Sequence, residues 1–85
     1  MRQLGAAGVL FERSLTIARA INDRRGQARI LLDFGQLRMR QNQLERAEEL
    51  LEMAMTCSEQ IADRHLQREA LRWFGQVRGQ QQRPR

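Results

Sequence analysis

The sequence predicts an all-α protein in which four helices form antiparallel hairpins, stacked as a short α-solenoid. Three observations lead to this prediction. Apolar residues recur every three or four positions along the chain, which is the period of an amphipathic helix. No stretch alternates apolar and polar residues in the manner of a strand. The chain also repeats itself with a period of 40 residues, as stacked helical repeats do.

The repeat is visible when the sequence is shifted by 40 positions against itself. Sixteen of the 45 overlapping positions are then identical, whereas composition alone gives roughly four. The clearest pairs are Ile21-x-Asp23-Arg24 with Ile61-x-Asp63-Arg64, and Phe34-Gly35-Gln36 with Phe74-Gly75-Gln76. The 85-residue chain therefore contains about two copies of one structural unit.

The first predicted helix covers residues 3–21. Its apolar positions share one face because they lie three or four residues apart; they are Leu4, Ala7, Phe11, Leu15 and Ala18. The third predicted helix, residues 44–61, presents a similar face 40 positions later. Asn42 precedes it, with Glu45 three residues further on, so we expect Asn42 to cap this helix in an arrangement close to a capping box.

The second and fourth predicted helices cover residues 24–41 and 64–79. Asp23 and Asp63 stand directly before them, and we expect both to act as N-caps, since Asp is a preferred residue there. The breaks between the four helices are short, so neighbouring helices are expected to run antiparallel.

Each of these two helices carries a glycine in its interior, Gly35 and Gly75. A glycine in a helix costs about 1 kcal/mol relative to alanine, so we expect both to allow a close approach of the neighbouring helix. The predicted helical repeat domain spans residues 1–80, and residues 81–85 form a polar tail.

A helical pair with Leu-x-x-Phe-Gly in one helix and Leu-x-x-Ala-x-x-x-Leu-x-x-Ala in the next resembles the tetratricopeptide repeat (TPR). The residues that carry this resemblance are Leu31, Phe34, Gly35, Leu44, Ala47, Leu51 and Ala54. The period of 40 is similar to the longer variety of this repeat, found in bacterial multidomain regulators and in scaffold proteins of G-protein signalling. The resemblance implies a non-catalytic scaffold that binds other proteins.

In the family that the chain resembles, the first helices of the pairs line a groove that receives a peptide or a partner helix. Carried over by spacing, the groove residues are Arg29, Leu32, Gln36, Arg40, Arg72, Trp73 and Gln76. Arg binds carboxylates in bidentate fashion, and Gln bonds peptide backbone groups. A protein or peptide ligand of acidic character is therefore expected. For Trp73 the alternative is that it covers an edge of the fold or a dimer contact.

The composition excludes most catalytic functions. The chain has one His, one Cys and two Ser, too few to build a nucleophilic or metal site of the usual kinds. We expect no enzymatic activity, no cofactor and no metal. The single Cys57 fits a reducing compartment, so a cytoplasmic location is expected. The apolar stretches are too short to cross a membrane, and charged residues directly follow the apolar stretch 4–11, which argues against a signal peptide.

The net charge of +5 comes from fifteen Arg and no Lys. Arg64, Arg68 and Arg72 are spaced four residues apart and form one ridge on the last helix. Such a basic ridge is also an electrostatic footprint for phosphate, so nucleic-acid binding is the alternative function.

The number of repeats bears on assembly. Roughly three or more repeats are usual in a stable stack, and this chain holds about two. We therefore expect either that the chain belongs to a larger bacterial regulator or that copies complete each other as a homo-oligomer, such as a dimer.

Overall fold

The computed structural model describes the backbone of residues 2–82 and the side chains of residues 6–82. Four α-helices make up this part of the chain, and it contains no strand: α1 (Arg2–Ala20), α2 (Arg24–Arg40), α3 (Leu44–Gln60) and α4 (Arg64–Gln81). The predicted all-α fold with four helices is confirmed. Each helix begins within one residue of its predicted start and ends within two residues of its predicted end.

Successive helices run antiparallel. Gln27, near the start of α2, donates from its side-chain amide to the carbonyl of Ala18, near the end of α1, at 3.4 Å. Arg24 at the start of α2 donates to the side chain of Gln60 at the end of α3. Helix α2 packs against α1 and most extensively against α3, α3 packs against α4, and α2 also contacts α4. Helix α2 is therefore the central helix of the fold.

The three links between helices share one backbone conformation. The middle residue of each has a positive φ, of 58° at Asn22, 60° at Asn42 and 55° at Ala62. The next residue donates its N–H back into the preceding helix, as Asp23 does to the carbonyl of Ala18 at 2.8 Å. This is the Schellman arrangement that ends many helices. Because the links recur every 20 residues, each 40-residue repeat consists of two units of equal length.

Asp23 and Asp63 cap the helices that follow them, as predicted. The Oδ1 of Asp23 accepts a hydrogen bond from the Gly26 N–H at 2.9 Å. The Oδ1 of Asp63 accepts one from the Leu66 N–H at 3.0 Å. Both bonds satisfy a donor in the first turn that has no partner within the helix.

The prediction that Asn42 caps α3 is wrong. Asn42 is the positive-φ residue that ends α2, and the N-cap of α3 is Gln43, whose side chain makes no capping hydrogen bond. The links explain the difference, since the third residue of each link takes the cap position. Asn suits the position it occupies, because it tolerates a left-handed backbone better than most residues.

The hydrophobic core is centred on the interface between α2 and α3. Its largest buried side chains come from these two helices and from α4: Phe34, Leu31, Leu32, Leu50, Leu51 and Val77. From the predicted face of α1, Leu15 and Ala18 are buried, and Phe11 stacks on Phe34 with ring centroids 5.3 Å apart. Leu4, predicted on the same face, lies outside the described side chains.

Helix α4 continues two residues beyond its predicted end, so part of the predicted tail is helical. The amide of Gln81 donates to the Oε1 of Glu48 on α3 at 3.0 Å, and the N–H of Gln82 donates to the carbonyl of Arg78. These bonds hold the last turn in place. Residues 83–85 of the predicted tail lie outside the described residues.

The Ala62→Gly variant is expected to be more stable than the wild type. Ala62 adopts a left-handed backbone, which costs a residue with a Cβ about 1 kcal/mol that glycine avoids. A gain of this size raises the Tm of a small domain by about 4–8 °C, measurable by circular dichroism. The reverse control is Asn22→Ala, which should lower the Tm. An unchanged or lower Tm for Ala62→Gly would contradict the link conformation.

The Gln43→Asp variant is also expected to be more stable. It places a carboxylate at the one N-cap among α2, α3 and α4 whose side chain makes no capping bond. The gain should be about 1 kcal/mol, seen as a higher midpoint in urea unfolding. Asp23→Ala is the matched control and should lose a similar amount. If Gln43→Asp and wild type unfold at the same urea concentration, the cap assignment of α3 is wrong.

Candidate functional site

The exposed side of the central helix α2 is a narrow strip, because the other three helices cover the rest. Its residues lie three or four positions apart and form what we call the α2 strip: Arg29, Asp33, Gln36 and Arg40. Arg29 and Arg40 are exposed, and Asp33 and Gln36 are half-buried. The Nε of Arg29 lies 3.8 Å from the Asp33 carboxylate, and such an exposed pair contributes little stability. The structure thus places three of the predicted groove residues, Arg29, Gln36 and Arg40, on one continuous surface.

Leu32 does not belong to this surface. Its side chain is only 1% exposed and forms part of the core. Leu32 is only one position before Asp33 of the strip, so helical spacing did not separate the two. In the structure the side of α2 that carries Leu32 is covered by other helices. Leu32 therefore positions the helix and is not available to contact a ligand.

The predicted residues on α4 fall on different sides of that helix. Gln76 is exposed on α4, which contacts α2. Trp73 is half-buried and packs against the hydrophobic core, in keeping with the alternative that it covers an edge of the fold. Arg72 is exposed one turn before Gln76, at the position equivalent to buried Leu32.

No helix of residues 2–82 covers the side of α4 that is equivalent to the α3-facing side of α2. We call positions 40 residues apart repeat-equivalent. Leu31 on α2 is 1% exposed, whereas its repeat-equivalent Leu71 on α4 is 61% exposed. A Cβ added at Gly35 lies 2.7 Å from the Cγ of Leu51, but one added at Gly75 has no neighbour within 4 Å. The predicted close approach is confirmed at Gly35 and wrong at Gly75, because α4 lacks the neighbour that α3 provides for α2.

The basic ridge predicted from the sequence lies on this uncovered side. Arg64, Arg68 and Arg72 are exposed, and none pairs with an acidic side chain of residues 6–82. Together with Leu71 and Gly75 they form the α4 open face. This face presents one aliphatic side chain and the exposed backbone at Gly75 beside three guanidinium groups.

A second uncovered side lies on α1. Leu10 and Ile17 are each 61% exposed and Ile21 is 68% exposed. Their spacing of seven and then four residues places them on one side of the helix, which we call the α1 open face. Large aliphatic side chains grouped on a surface mark an interaction site more often than isolated ones do. The sequence alone missed this face, because its residues fit the helical pattern as well as core residues do.

The repeat-equivalents of the α1 open face have a different environment. Leu50 is buried, and Cys57 and Ile61 are half-buried and packed against the core. The same side is therefore covered on α3 and uncovered on α1. The difference lies in the neighbour, since α2 precedes α3 and no described helix precedes α1.

A groove of about 260 Å³ runs between α1 and α3, with Phe34 of α2 beneath it. Arg46 on α3 approaches Glu12 on α1 across the groove, with 3.9 Å between the guanidinium and the carboxylate. The remaining lining residues are Leu15, Thr16 and Arg19 from α1, and Leu50 and Met53 from α3.

Two polar clusters tie the helices together. The Oε2 of Glu48 on α3 accepts a hydrogen bond from Arg78 on α4 at 2.7 Å, next to its bond from Gln81. The Gln81 amide, and then the Arg78 guanidinium, hold the pKa of Glu48 below its ordinary value. At the opposite end, the Leu66 N–H lowers the pKa of Asp63, helped by Arg25 of α2, which also donates to that carboxylate.

Arg38 is the repeat-equivalent of Arg78, which pairs with Glu48, but the two Arg residues have different neighbours. The guanidinium of Arg38 lies 4.9 Å from the centroid of the Phe34 ring, and that of Arg78 lies 5.9 Å from the Phe74 ring. Both pairs are in the range of a cation–π interaction. Gly8 faces Arg38 at the position equivalent to Glu48, so the acidic partner is present in only one of the two repeats.

In the part of the chain that the structure describes, no three His, Cys, Asp or Glu side chains are grouped closely enough to hold a metal ion. No described helix combines the length and the apolar character needed to cross a membrane. Comparison of the chain with protein-family models, with curated proteins and with solved structures found no match. We therefore infer the function from the surfaces of the molecule.

The two helix-interior glycines are expected to respond oppositely to the same substitution. Gly35→Ala forces a methyl group against Leu51 and should destabilise the protein by about 1–3 kcal/mol. Gly75→Ala meets open space and should stabilise it by about 0.5–1 kcal/mol through higher helix propensity. Each variant is the control for the other in chemical unfolding. Shifts of the same sign would contradict the assignment of Gly75 to an open face.

The Glu48 cluster predicts an acid-sensitive contribution to stability. The pKa of Glu48 is lower in the folded state, so its contribution is complete at neutral pH and is lost as the pH falls below about 4. The Glu48→Gln variant should therefore show a shallower loss of unfolding free energy between neutral and acidic pH. Glu45→Gln, on an exposed part of the same helix, is the control. Identical pH profiles for Glu48→Gln and wild type would contradict this role.

Proposed function

We propose that the chain is a non-catalytic protein-interaction module, a short α-solenoid of the TPR type that acts in the cytoplasm. The 40-residue sequence repeat, the four antiparallel helices and the identical links support this proposal. Of the TPR-like residues, Gly35 lies in the interface between α2 and α3, and Leu31 and Phe34 are buried in the core. The exposed surfaces are left to bind partners.

The observation that carries the proposal is the exposed side of α2. Between residues 29 and 40 the central helix leaves this strip open, and the strip presents Arg29 and Arg40 with Asp33 and Gln36 between them. Guanidinium groups bind carboxylates in bidentate fashion, and the Gln amide bonds peptide groups. The arrangement suits a protein segment that carries acidic residues.

The spacing of the two Arg residues defines the ligand further. They lie eleven residues apart on α2, which is about 16 Å at 1.5 Å per residue. An extended peptide covers that distance in about five residues, at roughly 3.3 Å each. The preferred ligand is therefore an extended segment with two carboxylates about five residues apart, one of which can be the free C-terminus.

A short peptide tests this proposal. The probe is a fluorescein-labelled Glu-Gly-Ser-Gly-Ser-Glu hexapeptide, and the control peptide has Gln in place of both Glu residues. We expect binding of the acidic peptide only, with an affinity that Arg40→Glu reduces by about fivefold or more, since it replaces an exposed ion pair of about 1 kcal/mol with a repulsion.

Arg68→Glu is the matched control protein. It makes the same change of charge on the α4 open face and should retain most of the affinity. Circular dichroism checks that both variants keep their helix content. Equal binding by Arg40→Glu and wild type would overturn the assignment to the α2 strip.

The second candidate function is nucleic-acid binding, and the three unpaired Arg residues of the α4 open face favour it. If they contact phosphates, the affinity for a single-stranded oligonucleotide should fall with salt with a log–log slope of about −2, that is −0.7 for each of three contacts. Arg68→Glu should then abolish binding and Arg40→Glu should not. No binding at low salt would exclude this candidate.

A further inference from the structure

We propose that copies of this chain stack head to tail, with the α4 open face of one copy packed on the α1 open face of the next. In this arrangement the contact between copies follows the packing of α2 on α3 within one copy. The proposal uses surfaces other than the α2 strip, so its success or failure is independent of acidic peptide binding there.

Helix α1 is repeat-equivalent to α3. The exposed residues Leu10, Ile17 and Ile21 are repeat-equivalent to Leu50, Cys57 and Ile61, which are covered within the chain. The helix beside that side of α3 is α2. The side chains of the α1 open face are therefore arranged for a helix of the same kind as α2, and not for an arbitrary apolar surface.

The described part of the chain contains one other helix of this kind. Helix α4 retains the Leu, Phe and Gly of α2 at Leu71, Phe74 and Gly75. Its side equivalent to the α3-facing side of α2 is uncovered, as Gly75 shows. One molecule thus carries both halves of an interface that it also contains in complete form between α2 and α3.

The contact of Leu51 with Gly35 also has an equivalent between copies. Within the chain, Leu51 on α3 fills the space that Gly35 leaves on α2. The repeat-equivalent of Leu51 is Phe11, whose side chain is half-buried on α1. In the stack, Phe11 of the next copy therefore lies over Gly75. A side chain at position 75 cannot be accommodated there without separating the two helices.

Stacking of two copies creates a second groove, with charges of opposite sign on its two sides. Arg19 and Met53 line the groove between α1 and α3. In the stack, α3 of one copy and α1 of the next form the equivalent groove, and the equivalent positions hold Glu59 and Arg13. The Arg and the Met that line the internal groove are thus replaced by an acidic residue of one copy and a basic residue of the next. The Arg46–Glu12 pair of the internal groove has no equivalent there, since the corresponding residues are Ala6 and Glu52.

A second polar contact follows the same pattern. Arg25 on α2 donates to Asp63 in the link after α3. The equivalent residues between copies are His65 and Asp23 of the next copy, again a basic group facing a carboxylate. Both polar contacts favour the head-to-tail orientation over two α1 faces meeting symmetrically.

The contact between copies is weaker than the internal one. Arg68 and Arg72 of the α4 open face stand where α2 has Ala28 and Leu32. Their aliphatic stems can cover the α1 open face while the guanidinium groups stay in water, but this buries less apolar surface than Ala and Leu do. A head-to-tail contact does not close on itself in a pair, so it produces short chains or rings of copies.

The test uses two variants that each block one face. Gly75→Glu places a charged side chain under Phe11 of the next copy, and Ile17→Glu places one in the α1 open face. Both positions are exposed in the single copy, so each variant should fold, as circular dichroism verifies. Leu10→Glu is a second variant that blocks the α1 open face. Gln80→Glu, at an exposed position of α4 outside both open faces, makes the same change of charge and is the matched control.

Masses are measured by light scattering from about 10 µM to about 1 mM, the range of weak interfaces. The masses of wild type and Gln80→Glu should rise above the 10.0 kDa of one copy as concentration rises, and each blocked variant should stay at one copy. An equimolar mixture of Gly75→Glu and Ile17→Glu should form a pair of about 20 kDa, twice 10.0 kDa, since each variant supplies the face that the other lacks.

Three results would overturn the proposal. A wild type that remains at one copy at every concentration would leave the open faces to a different protein. Self-association of Gly75→Glu alone, lost in Ile17→Glu, would show symmetric pairing of α1 faces. Blocked variants that do not combine on mixing would exclude the head-to-tail contact even if the wild type associates.

Discussion

The close approach of α2 and α3 at Gly35 is the constraint on which the other contacts depend. A missing side chain there lets Leu51 lie against the backbone of α2, which brings the largest apolar side chains of both helices into one core. Phe34, the residue before this glycine, then presents its ring to α1, where Phe11 stacks on it. The positions of the outer helices depend on this pair, because α1 packs against α2 and α4 packs against α3. Widening this one interface would therefore disturb all four helices.

The helices were predictable because their signals are local and repeated. Apolar residues three or four apart, and an Asp before two of the helices, place the boundaries within two residues. The capping of α3 was not predictable in this way. Comparison at a shift of 40 aligns α1 with α3, but the links recur every 20 residues, and Ala62 hides this shorter period because it stands where the other links have Asn. Backbone conformation, rather than side-chain chemistry, makes the three links alike.

The candidate site was predictable only in part, because repeat-equivalent residues do not have equivalent neighbours. Arg29, Gln36 and Arg40 share the exposed strip that helical spacing suggests. Leu32 and Arg72 occupy the same position in their helices, yet one is in the core and the other is in solvent. The deciding factor is whether another described helix packs on that side, and a periodic pattern carries no signal for this. The α1 open face was missed for the same reason.

Because described helices contact mainly their neighbours in the chain, the resistance of backbone amides to hydrogen exchange should vary along the molecule. Helices α2 and α3 are each covered on two sides, so their amides should exchange only when the whole molecule unfolds. Helices α1 and α4 are covered less, and each can separate while the central pair persists, as in other arrays of nearest-neighbour units. The single copy is thus a rigid central hairpin between two outer helices of lower local stability. A partner that covers an outer helix would extend the rigid region by one helix at a time.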